Sequence, residues 1–486
     1  MLPLIDPVAL AGKVFSGGWR EPAGGTVDVT EPATGKTLAT VGLADAGDIA
    51  SAASAAALAQ PAWAAAAHTE RAAVLRRAAQ ILEAHRDEVV GWLVREGGGV
   101  PGKAEHEVSS VLDELWVASG LPAEPFGQLL PSTPGRQSIG RRIPLGVVGV
   151  ITPWNVPLLL AMRAVAPALA LGNAVVLKPD VQTAVSGGLV LARLFEEAGL
   201  PEGVLHVLAG DAEPGRALAT DPNIAMISFT GSTAVGRQVG EAAGRALKRV
   251  SLELGGNNAL IVLDDADLDL ASSAGAWGAF FHQGQICMTA GRHIVLESVA
   301  GEYLDRLAAR AEKLPVGNPW TEKVALGPMI NAAQRDRVHR IVRDTVAAGA
   351  ELRAGGTHEG LFYRPTVLAE VTTEMPAFRE EIFGPVAPVI VVKDDEEAVA
   401  VANRTEYGLV AAVQTGDVER GTALADRLRT GIVHVNDQTI NDEAFVPFGG
   451  RGASGNGSRY GAQQSWDEFT QWQWLTVRSA PAPYPF

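Results

Sequence analysis

A chain of 486 residues exceeds what one hydrophobic core supports, so two or three domains are expected. Hydrophobic residues at 47% and charged residues at 20% describe an ordinary globular protein, and no apolar stretch reaches membrane-spanning length without a charge or a helix breaker. A formal net charge of −15 opposes general affinity for nucleic acid or anionic lipid, and the start, Met1-Leu-Pro-Leu-Ile-Asp6, lacks the basic and apolar regions of a secretory signal, which with a single cysteine makes the cytoplasm the expected compartment.

Residues 46–104 are rich in Ala, Glu and Arg with apolar positions at helical spacing, which predicts a mostly helical segment. Residues 127–143 carry Gln128, Ser132, Arg136, Gln137, Ser138 and Arg141 among few apolar side chains and predict a projecting hairpin. Short apolar runs follow at 146–151, 174–177, 204–208, 224–229 and 259–263. Helical patterns at 181–198, 215–220 and 234–246 separate them, and this alternation predicts a parallel sheet covered on both faces. From residue 271 a second alternation begins, with helices expected at 301–314 and 332–348 and strands near 386–392 and 431–436, so a second α/β unit is predicted. The tail at 469–477 alternates as a strand bearing Trp472 and Trp474. An isolated terminal strand needs a partner, and hairpin and tail are expected to meet across a subunit boundary.

The lone cysteine, Cys287, lies in Phe281-His-Gln-Gly-Gln-Ile-Cys-Met-Thr-Ala-Gly291. It has no internal disulfide partner, so its role is chemical or spatial. Gly284 and Gly291 permit close backbone approach to a ligand, and Gln283, Gln285 and Thr289 are polar company; a small core hydrophobe remains an equal reading from these residues alone. Phe229-Thr-Gly-Ser-Thr-Ala-Val-Gly236 joins a strand to a helix, where backbone N–H groups receive a pyrophosphate, although Gly231 and Gly236 are not spaced as in the usual dinucleotide fingerprint. Gly450-Arg-Gly-Ala-Ser-Gly455 fits that spacing but opens no helix and reads as a loop. Lys178 ends a strand, where open α/β sheets bind ligands, or it is merely solvated. Asn155 follows another strand as a polar ligand or a cap, and Glu253 between two leucines is a desolvated general base or a structural carboxylate. The nine histidines are scattered, and no metal site is expected.

Taken in order, Thr152-Pro-Trp-Asn155, Lys178-Pro179, Phe229-Thr-Gly-Ser232, Leu252-Glu-Leu-Gly-Gly256, Gly284-Gln-Ile-Cys287, Glu380-Glu-Ile-Phe-Gly-Pro385 and Pro447-Phe-Gly-Gly450 resemble the aldehyde dehydrogenase superfamily over residues 27–460. Phe281-His-Gln-Gly-Gln-Ile-Cys-Met-Thr-Ala-Gly-Arg292 and Lys178-Pro-Asp-Val-Gln-Thr183 look most like its benzaldehyde and vanillin dehydrogenase branch. The resemblance implies an α/β architecture. A Rossmann-type dinucleotide-binding domain would occupy residues 1–126 and 144–255, a catalytic α/β domain 256–448, and oligomerisation elements 127–143 and 465–486, in a homodimer or homotetramer.

By the same resemblance Cys287 attacks the aldehyde, the Asn155 amide and the Cys287 N–H hold the oxyanion, and Glu253 activates the water that hydrolyses the thioester. Lys178 corresponds to the ligand of the adenosine ribose, Gly231 and Ser232 to the pyrophosphate site, and Glu381 and Phe383 to the nicotinamide end. Thr152, Pro153, Trp154, Gly210, Phe229, Leu254 and Gly255 fall at further cofactor positions, and Trp154 shapes the loop that carries Asn155. Members strict for NAD often have a glutamate where this chain has Val181, so both NAD and NADP are expected to serve. Trp277, Phe281, Ile286, Met288 and Phe445, with Phe280, are candidate walls for a flat aromatic aldehyde, and only Arg292 is near enough in sequence to await a substrate carboxylate. Rival readings are a CoA-acylating relative, which usually lacks the carboxylate that Glu253 supplies, a cysteine hydrolase pairing Cys287 with His282, and a non-catalytic binding protein on the same fold.

Overall fold

The continuous apolar runs become strands of two seven-stranded sheets in a computed structural model that describes residues 3–486. Met1 and Leu2, the start of the segment read as no secretory signal and of the expected first domain, lie outside the described residues. In the first sheet Arg249–Glu253, Ile224–Thr230, Val147–Ile151, Ala174–Lys178 and Leu205–Val207 run parallel in that order. Val14–Phe15 and Trp19–Arg20 close its far edge antiparallel. Val147–Ile151 and Ala174–Lys178 are buried along their whole length, as a sheet covered on both faces requires.

The second sheet runs Glu351–Ala354, Thr366–Ala369, Val386–Val392, Arg292–Leu296, Ala259–Val262, Val410–Gln414, Ile432–Val435, parallel except at its first pair. Among the described residues no helix is long and apolar enough to cross a membrane.

The helical segment predicted at 46–104 is divided into Ala46–Ala65, His68–Ala84, Arg86–Gly97 and Pro101–Gly120. Asp45 and Asp48 form a reciprocal capping box at the first, Gly98 at φ +70 ends the third, and Pro101 opens the fourth at a position where its missing N–H costs nothing. The single helix expected at 181–198 is instead a 3-10 turn Val181–Thr183, a π turn Val185–Leu189 and an α-helix Val190–Glu197. Buried Glu96 accepts from the N–H groups of Val185 (2.8 Å) and Ser186 (2.7 Å), fixing this irregular start.

Gly127–Leu129, Arg136–Pro144 and the tail strand Thr470–Arg478 form a third sheet. This corrects the expectation that hairpin and tail meet across a subunit boundary: Thr470 pairs with Pro144 and Arg478 with Arg136 within one chain. The helix Ala462–Glu468 returns the chain to the hairpin's base, where Asn173 Nδ2 donates to Phe469 O (3.0 Å). Along the ladder Trp474 Nε1 donates to Ser138 Oγ (2.8 Å), and the Arg142 guanidinium lies 4.5 Å from the Trp472 ring centre.

Candidate active site

Parallel pairing brings the carboxyl ends of the central strands to one edge: Ile151 lies opposite Lys178 and Phe229, and Thr230 opposite Glu253. Thr152, Lys178, Gly231 and Glu253 therefore arrive together, at the edge where doubly wound sheets bind ligands. Ser232 caps the helix Thr233–Arg245, with Oγ accepting from Val235 N (3.4 Å). A Cβ on Gly231 would come 2.7 Å from the Phe229 ring, and one on Gly236 2.3 Å from Leu254, so a larger residue at either position would have to displace those side chains. Lys178 is buried, and its Nζ donates to Gly210 O (2.5 Å) and Pro179 O (3.4 Å). Burial lowers its pKa, opposed by the charges of Asp180 and Asp211. Val181 follows one turn on and brings no charge. Thr152 Oγ1 is buried without a partner. A close-packed glycine turn at a helix entrance, a lysine at a strand end and an orphaned buried hydroxyl fit a dinucleotide.

From the second sheet's side, Glu381 and Phe383 reach this edge. Glu381 Oε1 accepts from Gly256 N (2.8 Å), and a Cβ on Gly255 would fall 2.2 Å from the same carboxylate. Burial pushes the Glu381 pKa up to about 7, partly offset by the Gly256 N–H and Arg337. Phe383, at φ +56, meets Trp154 edge-on with ring centres 5.6 Å apart.

Asn155 is held from three directions. Its Nδ2 donates to Gln285 O (2.8 Å), and its backbone carbonyl accepts from Lys103 Nζ (3.0 Å) and His282 Nε2 (2.8 Å). Lys103 forms a buried pair with Glu107 (2.5 Å), whose Oε1 accepts from Leu158 N and Leu159 N at the start of the helix Pro157–Ala170. Those links tie the Asn155 loop to two helices. One amide N–H of Asn155 remains uncommitted.

Cys287 follows the helix Leu268–Phe280 and the turn Phe281–Gly284. His282 and Gln283 hold left-handed φ of 50° and 55° there, a conformation that side chains resist. Gln283 Nε2 donates to Gly98 O (3.0 Å) and Pro328 O (2.8 Å), and Gln285 Oε1 accepts from Ile330 N (3.0 Å), which hold the turn against that strain. Asn258 Nδ2 donates to Cys287 O (2.8 Å), and a Cβ on Gly256 would lie 2.4 Å from that oxygen. The thiol keeps some exposure, yet burial pushes its pKa up to about 12, reinforced by the charges of Glu381 and Glu253.

Neither carboxylate oxygen of Glu253 has a hydrogen-bond partner. Burial holds its pKa well above the usual carboxylate range, against the pull of Arg459 and Arg163. His282 is kept neutral by burial and by Lys103; with Nε2 committed to Asn155 O and Nδ1 unpartnered, it makes no hydrogen bond to the thiol. The hydrolase pairing therefore lacks its geometry.

A cavity opens at Asn155 and Cys287, walled by Val156, Leu159, Leu160, Phe281, Ile286 and Met288 together with Ile440 and Phe448. Three expected walls, Phe281, Ile286 and Met288, line it. Trp277 does not: half exposed, it stacks on Phe281 at 4.3 Å from outside. Phe445 is 62% exposed and also absent from the lining, while Phe280 packs in the core. Arg292 is buried and spends its guanidinium on the carbonyls of Asn257, Val401 and Ala402, so it awaits no substrate carboxylate. Sequence reading missed Leu159 and Arg163, although their spacing of four along the helix that Asn155 precedes is the signal of one face. It also missed Lys103, Glu107 and Asp442, which no local pattern marks.

An aldehyde dehydrogenase family model matches residues 19–475. The chain is 57% identical to a vanillin dehydrogenase of Amycolatopsis sp. over 100% of both chains, and 52% identical to a benzaldehyde dehydrogenase (NAD+) of Pseudomonas putida over 98% of both. Among solved structures, a betaine aldehyde dehydrogenase from Staphylococcus aureus in complex with NAD+ superposes with a TM-score of 0.95 at 29% identity, covering 99% of this chain and 97% of that one. An NADP-dependent enzyme of E. coli does so with 0.93 at 34% identity, covering 97% and 99%. With the family model running through both sheets and the cavity at their seam, the chain belongs to the aldehyde dehydrogenase family.

Proposed function

We propose that this chain oxidises a benzaldehyde-like aromatic aldehyde to its carboxylic acid, with NAD as the principal oxidant and water as the acyl acceptor. The observation that carries this is one apolar cavity holding Cys287 and Asn155, together with a buried glutamate, Glu253, whose charge acts on the thiol and whose oxygens have no hydrogen-bond partner. The Cys287 thiol loses its proton to solvent water as its sulfur adds to the carbonyl carbon. The uncommitted Asn155 N–H and the Cys287 N–H receive the resulting oxyanion. NAD, held by the cofactor residues named below, would supply the hydride acceptor for oxidation of this adduct to the thioester. Glu253 then takes a proton from water as that water attacks the thioester carbon, and the C–S bond breaks to return the thiol. A free base beside the thioester favours water over CoA as acceptor.

For the cofactor, Ser232 and Gly231 would take the pyrophosphate, Lys178 the adenosine ribose, and Glu381 the nicotinamide ribose, with Phe383 beside the ring. Thr152, Pro153, Trp154, Gly210, Phe229, Leu254 and Gly255 complete that surface. Val181 offers no repulsion to a 2′-phosphate, so NADP is admitted; Asp180 and Asp211 near Lys178 make it the weaker cofactor. The relatives named for vanillin and benzaldehyde support the aromatic substrate. The division into a cofactor unit at 1–126 and 144–255, a catalytic unit at 256–448 and oligomerisation elements at 127–143 and 465–486 is part of this proposal. Exposed Trp472, Trp474 and Leu129 on the third sheet favour a homodimer or homotetramer built through it, and the cytoplasm suits a lone free thiol.

The test is the near-ultraviolet absorbance of reduced nicotinamide with benzaldehyde and NAD or NADP, with and without CoA, for the parent chain and Cys287→Ala. Reduced cofactor without CoA, lost with the thiol, is expected. Turnover that requires CoA, or equal kcat/KM for acetaldehyde and benzaldehyde, would refute the acceptor or the aromatic substrate respectively.

A further inference from the structure

The helix Ala332–Ala347 reaches both ends of the proposed cofactor site. Its cap residue Asn331 accepts from Gln334 N through Oδ1 (2.9 Å), which leaves Nδ2 to donate to Gln182 Oε1 (2.6 Å). Gln182 stands four positions after Lys178 and is oriented from its own side. Asp180 Oδ1 accepts from Gln182 N (2.9 Å) and from Gln182 Nε2 (3.3 Å), so the amide turns its oxygen toward Asn331.

The first two turns of the same helix hold the segment that carries Glu381 and Phe383. Gln334 Nε2 donates to Phe383 O (3.0 Å), Arg337 Nη1 to Ile382 O (2.9 Å) and Arg337 Nη2 to Glu381 O (2.6 Å). Three successive carbonyls are thus fixed where Phe383 keeps φ +56, a conformation that a phenylalanine resists. Asn331, Gln334 and Arg337 are spaced by three and follow one side of the helix. A hydrogen-bonded line therefore runs from Asp180 through Gln182, Asn331 and Gln334 to Phe383. Gln182 and Asn331 are half-buried, so water can replace their mutual bond without a polar group being stranded in the interior.

We propose that Gln182 and Asn331 are positioning residues whose bond holds the adenosine end and the nicotinamide end of the cofactor site at one fixed separation. A ligand that touches both ends feels that bond, and a ligand confined to the Lys178 end does not. This rests on the reading of Lys178, Glu381 and Phe383 as cofactor residues.

Isothermal titration calorimetry with ADP, which reaches only the adenosine end, and with NADH, which spans both, reads the coupling without turnover. Gln182→Met keeps the side-chain length and loses the acceptor. Asn331→Ser keeps a capping oxygen and loses the amide donor. NADH should bind each single variant about two- to tenfold more weakly, the range for one exchanged hydrogen bond, while ADP changes by less than about twofold. The double variant should be no weaker than the singles, because either change alone breaks the bond. Gln182→Glu keeps the acceptor, and its ratio of ADP to NADH affinity should remain that of the parent. Equal weakening of ADP and NADH, unchanged NADH binding, or losses that add in the double variant would overturn the coupling and leave the cofactor site standing. A parent chain that binds neither ligand overturns the cofactor reading and this proposal with it. Should one single variant fail to fold, the other and Gln182→Glu decide alone.

Discussion

Alkylating the free enzyme with iodoacetamide across a pH series reads the state of Cys287 directly, because the chain has no other cysteine. Burial and the charges of Glu381 and Glu253 push its pKa from the ordinary 9.0 up to about 12. At pH 8 about one thiol in 10⁴ is then ionised, against about one in ten for an unperturbed thiol, a loss of roughly 10³. A more basic thiolate is intrinsically a better nucleophile, and a Brønsted slope of about 0.4–0.5 returns roughly 20- to 30-fold. The net expectation is alkylation about 30- to 50-fold slower than that of a small free thiol. Its rate should rise close to tenfold per pH unit, with no plateau below about pH 11.

Intact-mass spectrometry follows the single modification. Replacing Glu381 by Gln removes a negative neighbour, so the thiolate becomes easier to form and alkylation should speed up several-fold at fixed pH. A plateau near neutral pH would mean a thiolate at rest, and slower alkylation in Glu381→Gln would mean that Glu381 acts as a base toward the sulfur. Either result would refute the desolvation argument.

Glu253→Gln should lower kcat by about 10²–10⁴ and let the acyl-enzyme build up to detection by mass. Because burial raises the Glu253 pKa above the usual carboxylate range, its base form fills as pH rises; deacylation in the parent should climb with pH at values where an ordinary carboxylate is already fully ionised, and that limb should vanish in the variant. Lys103→Met strands Glu107 in the interior, although two N–H donors remain to it, so unfolding in denaturant should show a loss near the low end of the buried-pair range, about 3 kcal/mol. The same variant should lower kcat more than it raises KM, because the Asn155 carbonyl keeps only His282. Val181→Glu should cut kcat/KM for NADP by at least about tenfold and spare NAD, read by cofactor titration. Asp at Trp472 and Trp474 together should shift the assembly toward monomer in light scattering while the Cys287 cavity remains intact.

The sheets were legible because a strand covered on both faces must be apolar throughout, and runs such as 146–151 and 174–177 advertise that without homologues. The irregular helix start at 185 was not, since it depends on Glu96, almost ninety positions earlier, reaching two backbone N–H groups. Cys287, Asn155 and Glu253 stood out through local oddity: a lone thiol among glycines, an amide after a strand, a carboxylate between leucines. Trp277 and Phe445 misled for the complementary reason. Aromaticity marks a candidate wall but not the direction a side chain takes, and one stacks outside Phe281 while the other faces solvent. Lys103 and Asp442 carry ordinary surface chemistry in the sequence and acquire meaning only when distant elements bury them beside Asn155 and Arg163.

One physical cause dominates three of the titratable groups of the proposed site. Burial is the largest influence on Cys287, Glu253 and Glu381, and in each it favours the uncharged form, with Glu381 brought up to about 7. Opposing contacts are sparse: Glu381 has one backbone N–H, and Glu253 has no side-chain donor at all. A site stabilised for its resting state would pair those carboxylates, as the fold does elsewhere for Glu107 and for Asp395 with Arg420. Leaving them unpaired costs stability and keeps the committed donors few, so that in the proposed reaction the N–H groups at Asn155 and Cys287 would meet a negative charge only when the substrate oxygen develops it. In a low-dielectric cavity such donors act more strongly than in water, which is why the same desolvation that hinders thiolate formation favours the oxyanion that follows.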